Sequence, residues 1–397
     1  MLLYEILNVF VLGFLVILKP IYTGKNNFIV TCVFMIGFDE YGPEKIVEVY
    51  DPKVGMHGFV VIDNTALGPG KGGIRMTPTV SKSEVSRLAR AMTWKCSLAG
   101  LPFGGAKSGI IANPRELDLK KKRKIVESFS KALKVVGPEK YVAAPDMNMA
   151  EKEMEWFAKA NGSKKSCTGK PKKLGGIPHE LGSTGFGVYH ATLVALKAMN
   201  CDPKDMKLDV AIEGFGNVGW FAAKFLSEAG LNIVAVSDSK GTAYKKDGFD
   251  FEKLAKVKKE QRTVTKYPGA KVLPNKKILS IPAEVLITAA IPDLIQKADV
   301  KQIKSVLIVE GSNIPMSHET EKMLHEKEVL VIPDFVANAG GVISSYVEYI
   351  NGTSEKMFKL VESKIKKNTK EILKARGEDT RTTAMKLAQK RVKKAMK

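Results

Sequence analysis

Four cysteines in 397 residues give little to build with. Cys32, Cys96, Cys167 and Cys201 are isolated, with no CxxC pair and no Cys/His ligand spacing. That excludes a disulfide framework and predicts no metal site; the thiols read as free, in a reducing, cytoplasmic compartment. Nothing repeats at a solenoid period, and no low-complexity tract is long enough to matter. Long apolar runs are also lacking. Residues 2–18 are apolar but contain Glu5 and Asn8 and end at Lys19-Pro20, and residues 28–38 form a second run. Neither comfortably reaches the ~20 residues of a spanning helix. No basic segment precedes the first run and no small-residue cleavage site follows it, which argues against a secretory signal. Met35 opens an ordinary soluble sequence. Residues 1–34 are therefore expected to be an extension outside the core fold or an over-extended start, with a membrane anchor as the alternative.

Acidic residues are few: 42 Asp and Glu against 63 Lys and Arg, a formal charge of +21. Such a balance raises the question of nucleic acid. The basic runs at 120–124, 256–259 and 364–367 show no aromatic interleaving and no nucleic-acid motif. They read as solvated helix faces, with no specific nucleic-acid partner. Hydrophobic content of 44% and charged content of 26% are ordinary for a soluble globular chain, and the length suits two or three domains.

What the chain does have is glycine and lysine in one place. Residues 68–109 set Lys71 before a Gly-Gly pair, Lys107 after another, and Lys95 on an apolar helical stripe. Lysines in tight glycine turns or on an apolar face predict a cleft that gathers positive charge for an anion. Around them, residues 46–50 and 58–63 read as strands, and Ser81 with Glu84 forms a capping box that starts a helix ending at Gly100. Further helices are expected over 120–135, 150–160 and 185–199, with a loop over 161–176. From 208 onward short apolar strands at 208–213, 231–237, 285–289, 306–309 and 329–332 alternate with helical segments, which predicts an open parallel sheet. The end of the chain, from 342, reads as amphipathic helix packing back on the first domain.

Gly214-Phe215-Gly216-Asn217-Val218-Gly219 fits GxGxxG. It follows a strand and opens a helix, the context of a dinucleotide fingerprint, in which the helix N-terminus holds the pyrophosphate. Asp238, ending the next strand, suits the ribose 2′-hydroxyl of NAD, whereas Ser239 and Lys240 suit the 2′-phosphate of NADP. Both cofactors stay open.

The ordered motifs GGIRM, MTWK, LPFGGAKSG, APDMN, TGKP, GSTGFGV, EGFGNVG, EGSN and ANAGGV together resemble the glutamate/leucine/phenylalanine/valine dehydrogenase family, from about Gly58 to the C-terminus. The resemblance implies an α/β protein of two domains with a cleft between them. Residues 35–182, completed by helices in 343–397, would form a substrate and oligomerisation domain; residues 183–342 would form a Rossmann-type dinucleotide-binding domain. It implies oxidative deamination of an L-amino acid to a 2-oxo acid and ammonia, with hydride passing to NAD or NADP, in a homohexamer. By the same resemblance Lys95 binds the α-carboxylate, Lys107 is a low-pKa lysine that activates water, and Asp146 exchanges a proton with the amino or imino nitrogen. Thr184, Asn313 and Asn338 match positions at the cofactor. Members acting on glutamate carry a lysine before GGxR, here Lys71, and a serine after NAGGV, here Ser345; both would hold the side-chain carboxylate. The rival readings are a branched-chain or aromatic amino-acid dehydrogenase of the same family, and a silent homologue serving as a binding or scaffold protein. Phe186, Ser108 and Asp293 depart from residues usual in the family, and the apolar run replaces its helical N-terminal arm.

Overall fold

The computed structural model describes residues 8–11, 14–23, 27–34, 36–203, 205–375 and 378–397. The chain divides into two units, residues 1–93 with 102–174, and residues 94–101 with 175–397.

In the first unit, β1 (Asn8–Val11), β2 (Phe14–Thr23) and β3 (Asn27–Phe34) make an antiparallel sheet of their own. No helix among the described residues is long and apolar enough to cross a membrane. A five-stranded sheet follows, built from β4 (Lys45–Asp51), β5 (Met56–Asn64), β6 (Gly70–Thr77), β7 (Gly104–Ile111) and β8 (Tyr141–Pro145) in the order β4-β5-β7-β6-β8. β6 runs parallel to both β7 and β8, and β5 antiparallel to β7. One face packs Ile62, Ile74, Met76 and Ile110 against Phe129 of α2 (Leu119–Ala132) and Met154 and Phe157 of α4 (Glu151–Asn161). The other packs Phe59 and Val61 on Val85 and Ala89 of α1 (Lys82–Leu98). A short helix, α3 (Gly137–Lys140), leads into β8.

The glycine-rich segments 70–73 and 104–109, expected as tight turns, are instead the central strands β6 and β7. Their glycines answer to close approach and not to turning. A Cβ on Gly72 would lie 1.6 Å from the Ala106 carbonyl oxygen, and one on Gly105 would lie 2.1 Å from Thr93 Oγ1. No other residue fits a strand so closely overlaid.

The second unit opens with α5 (Ser183–Ala198), then β9 (Asp209–Glu213), α6 (Asn217–Glu228), β10 (Asn232–Asp238), β11 (Gly241–Tyr244), α7 (Phe251–Gln261), β12 (Lys271–Leu273), β13 (Val285–Thr288), β14 (Leu307–Glu310), α8 (His318–Glu326) and β15 (Leu330–Ile332). The strands form one sheet, β12-β11-β10-β9-β13-β14-β15. The five predicted strands are the parallel ones, and β11 and β12 add an antiparallel edge. β9 lies between β10 and β13, so the order of the strands reverses beside it. Such a switch point is where open α/β sheets bind ligands.

Four helices close the chain: α9 (Asp334–Ala337), α10 (Gly340–Tyr349), α11 (Ser354–Ile372) and α12 (Thr380–Ala395). They group with the second unit. The reason is local bonding to the last turn of α1, which comes with them. Ser97 Oγ donates to Ala388 O at 2.7 Å, Arg391 Nη1 to Leu98 O at 2.6 Å, and Lys364 Nζ to Gly100 O at 2.7 Å. The first of these units ends at Leu174.

Candidate active site

Side chains alternate along β6. Ile74 and Met76 join the core, which turns Lys71, Gly73 and Arg75 to the opposite face. Lys107, from β7, reaches Asp146 just beyond β8, with Nζ 2.6 Å from Oδ2. Arg75 Nε approaches the same oxygen at 3.3 Å, and the far end of its guanidinium pairs with Glu84 on α1. Gly73 lies beneath this group: a Cβ there would sit 2.8 Å from Asp146 Cβ and 3.3 Å from Lys107 Nζ. Burial pushes the Asp146 carboxyl up, but the Lys107 ammonium and the Arg75 guanidinium outweigh it and hold the carboxyl below its ordinary value. The result is an ammonium donor and an ionised carboxylate in contact, the parts proton transfer needs.

Lys71 is 1% exposed, and its Nζ donates to Ala143 O at 2.8 Å and Thr168 Oγ1 at 2.7 Å. Both contacts fix where the ammonium sits on this strand. Sequence reasoning missed Thr168, Arg75 and Glu84. Arg75 and Thr168 stand inside GGIRM and TGKP, but Thr168 meets a partner 97 positions away, which no local pattern reveals. Glu84 was expected only in the capping box. Ser81 Oγ does cap the Glu84 N–H, while the Glu84 carboxylate goes to Arg75.

In the second unit the glycine motif behaves as read. Gly214 has φ of 88°, a Cβ on Gly219 would strike Gly214 O at 1.9 Å, and a Cβ on Gly216 would meet nothing within 4 Å. The turn is tight, and α6 opens at Asn217 with Gly216 as its N-cap and no side chain capping it. Phe215 is buried beside Gly216, and Val218 lies in the first turn of α6. A cavity of about 680 Å³ at the ends of β9, β10 and β13 is lined by Gly214, Gly216, Ser239, Lys258, Ala290 and Asp293, among others. A dinucleotide fits this shape: glycines where a pyrophosphate needs close approach, and a pocket at the switch point.

Lys95, in the part of α1 that belongs to this unit, donates to Asn338 Oδ1 at 2.6 Å. Asn338 Nδ2 donates in turn to Asn313 Oδ1 at 2.9 Å and lies 3.3 Å from Gly311 O and Ser312 O. Three residues picked separately from the sequence thus form one network. Thr184 lies in the first turn of α5, its Oγ1 3.1 Å from where a Cβ of Gly341 would stand, and Ser345 is half-buried on α10. Phe186 packs edge-on against His190, Phe225 and Phe358, so this position serves helix packing.

The loops carrying Asn313 and Asn338 share a buried anchor. Arg381 of α12 bonds Glu310 at 2.7 Å, Glu321 at 2.6 Å and Asp334 at 2.9 Å. Three carboxyls around one guanidinium cannot all ionise in a dry site. Burial raises Glu310 and Glu321, the latter to about 7, against the pull of Arg381. A carboxyl raised in the fold keeps a proton that the unfolded chain has lost, so its stabilisation is greatest at acid pH and falls as pH rises through that window. The urea midpoint of the second unit should therefore decline between about pH 4.5 and 7. In Glu321→Gln that decline should be shallower; an unchanged slope would show that the carboxyl does not hold its proton.

Two family models cover most of the chain. Residues 175–397 match Glutamate/Leucine/Phenylalanine/Valine dehydrogenase, and residues 43–162 match the Glu/Leu/Phe/Val dehydrogenase dimerisation domain. The chain belongs to this dehydrogenase family. It is an amino-acid dehydrogenase, an oxidoreductase using NAD or NADP. It is 39% identical over 402 residues to the glutamate dehydrogenase of Aeropyrum pernix, covering 92% of this chain and 95% of that one. It is 38% identical over 352 residues to the NADP-specific glutamate dehydrogenase of Saccharolobus shibatae, covering 84% and 83%. Among solved structures it is similar to the hetero-hexameric glutamate dehydrogenase of Thermus thermophilus, with a TM-score of 0.78, 27% identity and 89% of each chain covered. The α/β fold and nucleotide-binding unit read from the sequence agree with the family.

Proposed function

We propose that this family member acts on L-glutamate, converting it reversibly to 2-oxoglutarate and ammonia. The observation that carries the reading is Lys71, a lysine almost wholly buried, fixed by Ala143 O and Thr168 Oγ1 on the face that bears Lys107 and Asp146. A substrate γ-carboxylate supplies the charged partner such an ammonium favours, whereas a leucine side chain would set hydrocarbon against a buried charge. In this reading Ser345 adds a hydrogen bond to the same carboxylate and Lys95 receives the α-carboxylate. Asp146 takes the proton from the amino nitrogen, and Lys107 activates water for attack on the imine carbon and stabilises the oxygen that becomes carbonyl. Gly214, Gly216, Asn217 and Gly219 would frame the pyrophosphate of a dinucleotide, which when bound would supply the acceptor for the Cα hydride. The proposal extends to a homohexamer, which light scattering on the purified chain would test.

The test of substrate is direct. With NAD or NADP, reduced nicotinamide should accumulate with glutamate and much more slowly with leucine or phenylalanine. Faster turnover of leucine than glutamate would refute the assignment, and no turnover with any amino acid would refute catalysis.

A further inference from the structure

The strand-end acid of a dinucleotide fold selects NAD by accepting a hydrogen bond from the ribose 2′-hydroxyl. Asp238 stands at that position, at the end of β10. Its acceptor capacity is already taken. Oδ1 accepts from Lys240 N at 2.9 Å and Thr263 Oγ1 at 3.2 Å; Oδ2 accepts from Lys258 Nζ at 2.6 Å and Val264 N at 2.8 Å. An ionised carboxylate offers about four lone-pair sites, and here four protein donors fill them. A ribose hydroxyl could bond to Asp238 only by displacing one of them.

The same arrangement changes the charge that a ribose meets. Lys258 neutralises Asp238, and the side chain of Asp238 is only 6% exposed, whereas Lys258 is 27% exposed and lines the cavity. Of the three N–H groups of its ammonium, one is spent on Asp238 and two remain. Ser239, Asn275 and Lys276 line the cavity beside it, Lys276 Nζ also pairing with Asp299 Oδ2 at 2.9 Å while its side chain stays 60% exposed, and Lys240 is exposed at the next position. Glu213 and Asp293 also line this cavity; the Glu213 carboxyl is occupied by the N–H groups of Ala289 at 3.1 Å and Ala290 at 3.0 Å.

We infer that Asp238 is a structural acid and that Lys258, with Ser239 and Lys276, forms a subsite for the adenosine 2′-phosphate, so that the enzyme selects NADP(H) over NAD(H). Asp238 acts as a tether: it ties the end of β10 to α7 and to residues 263–264, and so holds the Lys258 ammonium at the pocket wall. This inference rests on the dinucleotide-dependent reading above and says nothing of the amino-acid substrate.

Calorimetric titration of the full-length protein with 2′,5′-ADP and with 5′-AMP tests it without turnover. The expected result is tighter binding of 2′,5′-ADP by about tenfold or more, the worth of a charge-assisted bond. Lys258→Met should abolish most of that advantage without weakening 5′-AMP, since it also frees one acceptor site of Asp238 for the ribose hydroxyl, and Lys258→Arg should keep it. Lys276→Gln, at an exposed side chain, gives a second reading should Lys258→Met fail to fold: a loss confined to 2′,5′-ADP. Equal affinity for the two nucleotides, or equal losses for both in the variants, would overturn the inference. The kcat/KM ratio for NADP over NAD should follow the same order. Glutamate turnover that prefers NAD refutes this subsite and leaves the substrate assignment standing; 2′,5′-ADP selectivity without glutamate turnover does the reverse.

Discussion

Asp146→Asn should lower kcat by about 10²–10⁴-fold, the usual contribution of a positioned acid-base group. The amide keeps the size of the carboxylate and can still accept from Lys107, so the loss isolates proton transfer from packing. Asn cannot take a proton from the substrate nitrogen at any working pH. KM for glutamate should change little, because the proposed role is in the chemical step and not in holding the substrate. The pH profile gives a second reading. With Lys107 and Arg75 holding the Asp146 carboxyl low against its burial, the wild-type base stays ionised well into acid, and its contribution should be lost only as pH falls through that depressed value. The variant should show no such limb. A kcat within tenfold of wild type, in a protein with unchanged melting, would remove Asp146 from the chemistry.

Lys71→Leu is the second large effect. Removing one partner of a buried charge pair costs about 2–5 kcal/mol, or about 30- to 4,000-fold in kcat/KM for glutamate. Here the partner left behind would be the substrate γ-carboxylate. The variant also removes a donor from Ala143 O and Thr168 Oγ1, so some loss of thermal stability should accompany it. The discriminating outcome is specificity: activity on leucine or norvaline should rise relative to glutamate as the pocket becomes apolar. Equal losses for all amino acids would mean that Lys71 only supports the fold; unchanged glutamate kinetics would mean that it does not touch the substrate.

Not every motif was equally legible. The GxGxxG turn was plain because its requirement is local: a left-handed Gly214 and a Gly219 pressed on Gly214 O belong to one short segment. The cap at Ser81 and the parallel strands were readable for the same reason. Lys71 and Lys107 were found as residues but misplaced as turn residues. Glycine looks the same in sequence whether it bends the chain or lets two strands and a helix close together, and only the overlay of Gly72 on Ala106 and Gly105 on Thr93 tells which. Asp238 shows the limit most clearly. At the level of sequence it was an acid at the end of a strand, suited to NAD. Its four donors come from residues 240, 258, 263 and 264, and three of them lie far enough along the chain that folding alone brings them to it.

By itself, then, the sequence determined the family and the dinucleotide unit, because glycine stereochemistry and strand and helix periodicity act over a few residues. Tertiary structure alone decided that Asp146 is flanked by both Lys107 and Arg75, that Lys95, Asn338 and Asn313 form one network, and that the C-terminal helices belong with the second unit. It alone also showed the acceptor sites of Asp238 to be taken. Charge and hydrogen-bond partners depend on distance in space, and a side chain's chemistry is set by what the fold brings within about 3 Å of it.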